Sequence, residues 1–548
     1  MNITTELPAS GLPPAKARLP RQIPYIMGNE ACERFSFYGM RNILVSFLAS
    51  SVILAYLPEA AREGAAKDVF HSFVIGVYFF PLLGGWLSDR FFGKYDTVLW
   101  FSLIYCAGHA CLAMFDDNRT GFYTGMFLIA LGSGGIKPLV VSFVGDQFTR
   151  DNKHLARIVF DYFYWIINFG SFFASLLMPL FLRSYGPAVA FGIPGVLMLI
   201  ATIIFWLGRR KYVRVPPTRG LDPHSFANVA RTALITQAPG QGRAGYAIAV
   251  FGVVLAVAML LAWALRVGLG FDVAWPEGFG FVITACLALL SLIAFGSIGT
   301  SMQLERARGQ HPDEAVDSVR AVLRVLIVFA LVTPFWSLFD QKGSTWVLQG
   351  QGMVIPHDKW WWPSFLVKTA GQMQALNPLM VMAIIPFNNL VLYPALRRWG
   401  YEPTALRRMG TGIAVAGIAW IVAGVLQLRM DGGEAVALST QVWPYLILTF
   451  AEVLVSATAL EFAYSQAVDS MKGVIMAFWY LTSTFGGLWV LLTNAGVRNP
   501  AVIERISATG LSENAFLMFF FAGFAFVAAA AFAAYARNYP MQDNYREG

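Results

Sequence analysis

Apolar runs of about 20 residues recur along almost the whole of this chain, and that recurrence leaves few folds open to it. About fourteen such runs are present, each long enough to cross the hydrocarbon core of a bilayer as a helix. They lie near residues 24–56, 68–90, 95–115, 121–147, 154–183, 187–208, 244–268, 277–301, 318–347, 374–398, 408–428, 441–469, 473–494 and 512–537. Only 13% of residues are charged and 57% are apolar, whereas globular chains carry about 25% charged residues. The expectation is an all-α polytopic membrane protein with about 14 transmembrane helices.

Charge then orients those helices. The net charge of +8 and a pI near 9.2 would fit a nucleic-acid partner, but topology accounts for them without one. With the N-terminus in the cytoplasm and an even number of spans, both termini lie inside. About 26 of the 40 Lys and Arg then fall in inside loops or at inside helix ends, and about 11 fall outside. Three, Arg34, Arg41 and Lys137, are counted within spans. Arg209-Arg210-Lys211, Arg397-Arg398 and Arg407-Arg408 carry much of the bias. The chain is therefore expected to be multi-pass in the cell inner (plasma) membrane, with lipid and no nucleic acid as its partner. Cys32, Cys106, Cys111 and Cys286 fall in apolar spans and read as packing residues rather than a disulfide framework. The first 22 residues are polar and Pro-rich, without the apolar core of a cleavable signal, so insertion is expected to begin with the first span.

The spacing of the spans divides the chain. A cytoplasmic N-terminal tail covers 1–22, an N-terminal six-helix bundle 23–209 and a cytoplasmic linker 210–243. A two-helix insertion follows over 244–302, then a cytoplasmic linker over 303–317, a C-terminal six-helix bundle over 318–537 and a cytoplasmic tail over 538–548. Two six-helix bundles plus two extra helices point to the major facilitator fold, in which repeats rock around a midplane site. The inserted pair has almost no charge in its interior and is expected to be peripheral. The loop Gly85-Trp-Leu-Ser-Asp89-Arg90-Phe-Phe-Gly93-Lys94 resembles the major facilitator loop signature, a tight turn with a charge network between helix ends.

Ionisable groups inside a membrane are costly and mark substrate or proton paths. The first span carries Glu30-Ala-Cys-Glu33-Arg34, then Phe35 to Arg41. Steps of four, four and three put Glu30, Arg34, Tyr38 and Arg41 on one helical face, with Glu33 one step aside and able to compete for Arg34. Two carboxylates and one guanidinium leave a net charge of minus one, so one proton neutralises the set. A purely structural ion cluster is the alternative, but buried ion pairs stabilise weakly compared with apolar packing. Span two places His71 and Tyr78 on one face. A lone histidine is usually a satisfied core residue, although its titration range suits a proton site at the outer entrance. In span four, Gly132-Ser-Gly134-Gly135-Ile-Lys137-Pro138 allows close helix approach, and it lacks the Gly-Lys-Ser/Thr ending of a phosphate loop. A lysine as deep as Lys137 needs an anionic partner or a depressed pKa.

Partners exist in the second half. Trp336 and Asp340 lie four apart in span nine, and Glu452 and Ser456 four apart in span twelve. Arg41, Lys137, Asp340 and Glu452 sum to zero charge, cations from the first half and anions from the second, which makes a dipolar cavity fit for a zwitterion. Glu461 faces roughly away from Glu452 and reads as structural or peripheral. Asn168 and Asn377 are buried amides that can bond a substrate, or equally another helix, the latter being worth only about 0.6 kcal/mol. Tyr38, Tyr78, Trp336 and Trp479 can line cavity walls, although such aromatics are more often packing or interface anchors.

Glu30 through Gly39 resembles the signature of the proton-coupled oligopeptide transporter family, Glu-x-x-Glu-Arg-Phe followed by two aromatics and Gly, and the likeness runs from about residue 20 to 537. The resemblance implies a proton-coupled symporter importing di- and tripeptides by alternating access, not an enzyme, with protons as the coupling ion and no cofactor or metal. It implies proton coupling at Glu30, Glu33, Arg34 and His71. Arg41 and Lys137 would hold the peptide carboxylate, and Glu452 with Asn168 and Asn377 would receive its amino terminus. Tyr38, Tyr78, Trp336, Ser456 and Trp479 would shape the remaining substrate site. Arg41 with Asp340, and Lys137 with Glu452, would form salt bridges closing the outer side. A monomer is expected. Phe335-Trp336-Ser-Leu-Phe-Asp340-Gln341 and Leu460-Glu461-Phe-Ala-Tyr464-Ser-Gln466 are similar to the animal pattern of the family.

Three departures stand out. Phe37 replaces the first of two tyrosines, Asp340 replaces a commoner Glu, and Ser456-Ala-Thr-Ala-Leu460 lacks the Pro and Gly usual after Glu452, which leaves the bend of that helix open. The same machinery carrying another solute, nitrate or an amino-acid conjugate, remains the alternative, against which Glu452 argues by repelling a simple anion. A membrane enzyme is disfavoured, since no zinc-type His pair or nucleophile elbow is present.

Overall fold

Helices account for nearly all of the chain in the computed structural model, which describes residues 19–148, 153–217, 222–237, 242–269, 279–466 and 471–540. Within these, the side chains of 153–158, 161, 266–269, 279, 457, 460–461, 463–465 and 472–473 lie outside the description. The first half comprises α1 (Ile23–Ser50), α2 (Glu59–Leu87), α3 (Lys94–Met114), α4 (Arg119–Asp146), α5 (Lys153–Tyr185) and α6 (Pro187–Leu207). A short α7 (Phe226–Ile235) precedes the hairpin of α8 (Ala244–Leu269) and α9 (Phe279–Gln303). The second half comprises α10 (Asp313–Asp340), α11 (Thr345–Gln351), α12 (Leu376–Phe387), α13 (Tyr393–Arg398), α14 (Ala405–Asp431), α15 (Val442–Gln466), α16 (Lys472–Gly496), α17 (Pro500–Ala508) and α18 (Glu513–Arg537).

Thirteen helical segments among the described residues are long and apolar enough to span a membrane. α1 is not one of them, and the reason is its charge rather than its length. Its 28 residues reach about 42 Å at 1.5 Å per residue, but Glu30, Glu33, Arg34 and Arg41 interrupt the apolar run. Counting α1, the spans number fourteen, the count read from the sequence. Side-chain caps fix several starts: Asn118, Thr404 and Ser512 accept backbone N–H bonds three residues on. α10 begins at Asp313, so residues 313–317, counted with the linker in the sequence, are helical. At its other end α10 stops at Asp340, within the apolar run: a 3₁₀ turn, Gln341–Gly343, passes it into α11, and the whole Asp313–Gln351 segment is 39 residues long.

Each half has its own apolar core. Met40, Leu44, Phe70, Phe122 and Phe205 belong to one, and Phe335, Trp346, Trp420 and Tyr445 to the other. Burial of this kind is the arrangement of two separate bundles. The hairpin is peripheral: 17% of the apolar stretch of α8 and 22% of that of α9 are buried, against 72% of the apolar stretch within Asp313–Gln351. It docks through Ile283 and Cys286 onto Ile75 of α2 and Leu481 and Phe485 of α16. The short α7 is pinned by buried Val229 and Ala233 against the second core.

The glycines of α4 set how closely α2 and α3 approach it. A Cβ on Gly84 of α2 would lie 2.6 Å from the Cα of Gly135, and one on Gly135 would lie 2.1 Å from the Phe101 ring of α3. Backbones therefore touch where α2, α3 and α4 meet, as small residues allow in a membrane. At the nearby end, Gly93 takes φ 76° and Lys94 pairs with Asp146 at 2.7 Å. That bond ties the start of α3 to the end of α4.

Candidate functional site

The α1 cluster is fully built. Arg34 Nε lies 3.0 Å from Glu30 Oε1 and 2.5 Å from Glu33 Oε2, so one guanidinium serves both acids at once. All three side chains are buried. The helical spacing places Glu30 one turn before Arg34, and the adjacent Glu33 reaches the same nitrogen from the side. Close by, Ser36 Oγ bonds His109 Nε2 of α3 at 2.9 Å, with His109 fully buried. The sequence reading passed over His109 because no periodic partner marks it.

Among the described residues, Lys137 meets no carboxylate. Its Nζ lies 3.7 Å from the Phe37 ring centroid and 4.9 Å from that of Tyr78, within cation–π range. The expected Lys137–Glu452 bridge is absent from this conformation; the two sit on different halves, and Glu452 is engaged elsewhere. Phe37, the departure from the family motif, supplies the nearer ring. Tyr38 packs edge-on against Phe37 with centroids 5.4 Å apart.

In the second half, Asn377 of α12 is the hub of the buried polar groups. Its Nδ2 donates to Glu452 Oε2 at 2.6 Å and to Thr449 Oγ1 at 3.1 Å, while its Oδ1 accepts from Lys342 Nζ at 2.7 Å. Lys342 was missed. It falls within the apolar run 318–347 and makes a fourth deep cation beside the three counted, but it sits at the end of that run where a lysine passes for a helix terminus. It is buried, with its ammonium 3.4 Å from the Phe339 ring centroid. Around the midplane the tally is thus three cations, Arg41, Lys137 and Lys342, against two carboxylates, Asp340 and Glu452, instead of an even balance.

Trp336 and Trp479 face each other at 5.8 Å in a T-shaped pair, and a Cβ on Gly486 would lie 2.6 Å from Trp336 Cβ, which fixes α10 against α16. Ser456 lies one turn along α15 from Glu452 and is half-buried. Asn168 of α5 donates to the Tyr164 carbonyl of its own helix at 2.9 Å, so its amide nitrogen is not a bond between helices. The side chain of Glu461 lies outside the described residues.

Among the described residues, the hydrogen bonds and ion pairs joining the halves gather at one end, the end where α1 turns into α2. Arg41 Nη2 bonds Asp340 Oδ1 at 2.7 Å, and both are buried. His71 Nε2 bonds Ser344 Oγ at 3.0 Å. Gln374 Nε2 donates to the Asn42 carbonyl at 2.9 Å, and Gln372 Nε2 to the Leu176 carbonyl at 2.9 Å. Asp68 accepts from Asn494 at 3.0 Å and pairs with Arg498. Neither Asp68 nor Arg498 was singled out in the sequence, since each lies at a span end where a charge is ordinary. Together these bonds seal that end of the molecule.

Two helical bundles around a buried, charge-lined midplane site, sealed at one end, define a membrane transporter of the major facilitator type. A sequence model of the POT family matches residues 95–501, and the chain belongs to that family. It is 30% identical over 434 residues to Peptide transporter 3 of Caenorhabditis elegans, covering 75% of this chain and 51% of that one. Solute carrier family 15 member 2 of Mus musculus is 29% identical over 458 residues, covering 78% and 53%. The chain thus spans about half the length of the curated relatives it matches. Among solved structures, a crystal structure of an auto-inhibited POT family peptide transporter superposes with a TM-score of 0.90 at 63% identity, covering 96% of this chain and 99% of that one. The POT family transporter PepTSo superposes at 0.89 with 59% identity, covering 96% and 100%.

Proposed function

We propose that the chain is a proton-coupled symporter that imports di- and tripeptides by alternating access. The observation that carries this reading is Arg34 held between two buried carboxylates, a set one proton away from neutrality. Protonation of Glu33 or Glu30 releases Arg34 from one partner without leaving a bare charge in the membrane. Arg41 and Lys137 take the peptide carboxylate, and Glu452 with Asn377 and Asn168 takes the amino terminus. Tyr38, Tyr78, Trp336, Ser456 and Trp479 line the rest of the site. His71, bonded across the halves to Ser344, handles protons beside the seal.

The bias of basic residues supports a cytoplasmic side for both termini, and the membrane of this reading is the plasma membrane. The sealed end is then the outer one, and the site faces inward. Lys137 and Glu452 form their bridge in another stage of the cycle. A membrane potential supplies about 2.3 kcal/mol per charge per 100 mV to drive import. No cofactor is required, and a monomer suffices.

Labelled dialanine uptake into proteoliposomes with an inward proton gradient tests the reading. Accumulation above equilibrium that an uncoupler abolishes is expected. Uptake that an uncoupler leaves unchanged removes proton coupling, and no uptake by folded protein removes the peptide substrate.

A further inference from the structure

Both ends of the Asn377 amide are engaged within the protein. Its nitrogen serves Glu452 and Thr449, and its oxygen is taken by the ammonium of Lys342. A lysine ammonium and a peptide amino terminus are the same chemical object, an alkylammonium with three N–H donors. Lys342 is therefore seated where the reading above brings the amino terminus of a peptide.

We propose that Lys342 is a built-in stand-in for the substrate's amino terminus, and that a peptide binds by displacing it from Asn377. This inference rests on the reading of the chain as a peptide transporter. Three features of the site support an exchange rather than a permanent bond. Lys342 sits in the 3₁₀ turn Gln341–Gly343 between two helices, where a small backbone rotation moves its side chain. A second acceptor is within its own turn, because Asp340 Oδ2 is buried and has no hydrogen-bond partner while Oδ1 holds Arg41. Finally, the charge balance holds: a zwitterion adds no net charge, and the displaced ammonium moves from the neutral amide oxygen of Asn377 to a carboxylate. The exchange also links the site to the seal, since the freed Lys342 competes with Arg41 for the same carboxylate.

The competition sets affinity. A resident ammonium lowers apparent affinity by the fraction of time it occupies the place, so removing it tightens binding. Wild type, Lys342→Met and Lys342→Gln are compared for equilibrium binding of Ala-Ala and of N-acetyl-Ala-Ala, with thermal unfolding as the control for folding. Both variants are expected to bind Ala-Ala more tightly, on the order of fivefold to tenfold for Met and less for Gln, whose amide still donates to Asn377. N-acetyl-Ala-Ala, with no ammonium to exchange, is expected to show no such gain, and the gain is expected to vanish in a Glu452→Gln background. Unchanged or weaker Ala-Ala binding by the folded variants overturns the proposal. Wild type that binds no peptide at all defeats the transporter reading instead. Should neither variant fold, labelling of Lys342 in wild type by a small acylating reagent decides: Ala-Ala must shift the rate and N-acetyl-Ala-Ala must not, and equal rates overturn the proposal.

Discussion

Replacing Asp340 by Asn keeps the shape of the side chain and removes the charge that Arg41 meets across the seal. Arg41 and Asp340 expose only 8% and 2% of their side chains. Removing one partner of a buried pair costs about 3–5 kcal/mol, because the other is left as an uncompensated charge. Here that penalty falls on the sealed form alone, since opening that end returns Arg41 to water. At about 1.4 kcal/mol per factor of ten, the sealed-to-open ratio should fall at least about a hundredfold. His71–Ser344, Gln374–Asn42 and Asp68–Arg498 still hold the end, so the protein should fold and keep both states. A cysteine at Val347, which is 1% exposed in α11 and packs on the first-half core, reports the opening in a background without the native cysteines. Its reaction with an impermeant thiol reagent from the sealed side should accelerate about a hundredfold in Asp340→Asn. An unchanged rate would show that this pair does not hold the seal.

Other outcomes follow from the same geometry. Glu33→Gln should abolish uptake driven by a proton gradient while sparing exchange of peptide across the membrane, and concentrative uptake by the variant would remove Glu33 from coupling. Gly84→Ala forces a Cβ to 2.6 Å from the Gly135 backbone and should destabilise by about 1–3 kcal/mol as overpacking. Gly85→Ala, with nothing within 4 Å, is the control, and equal unfolding midpoints for the two would refute the backbone contact. Outside the membrane, His311 faces His224 at 3.0 Å, and burial followed by that neighbour lowers its pKa from the ordinary 6.5. The packed linker then binds fewer protons than the unpacked one, so its stability is present above about pH 6.5 and is lost as pH falls below it. Hydrogen exchange of α7, corrected for the intrinsic rate, should speed up between pH 7.5 and 5.5, and a flat profile would sink the assignment.

What the sequence made legible divides by distance along the chain. Glu30, Glu33 and Arg34 came directly from helical spacing, because residues one turn apart on a helix meet whatever else the fold does. The span count came from apolar length, which the bilayer imposes locally. Arg41 and Asp340 lie 299 positions apart, and no spacing rule reaches that far; only the family likeness paired them. Lys342 was lost because a lysine near the end of an apolar run looks like an interfacial anchor, and its burial depends on α10 continuing through a turn into α11. Lys137 was recognised as deep, but its present neighbours are rings: an aromatic face at Phe37 is a partner that a search for carboxylates overlooks.

The turn between α10 and α11 carries Asp340, Lys342 and Ser344 at alternate positions, and each is bonded to a different client: Arg41, Asn377 and His71. Three signals, from the seal, the binding site and a titratable imidazole, therefore converge on five consecutive residues. No one of them can shift far without disturbing the other two, so intermediate settings are disfavoured. A device wired in this way behaves as a logic gate that opens when its inputs agree. In the symport proposed above, slippage, in which protons pass without cargo or cargo without protons, is suppressed by this wiring rather than by any single strong bond.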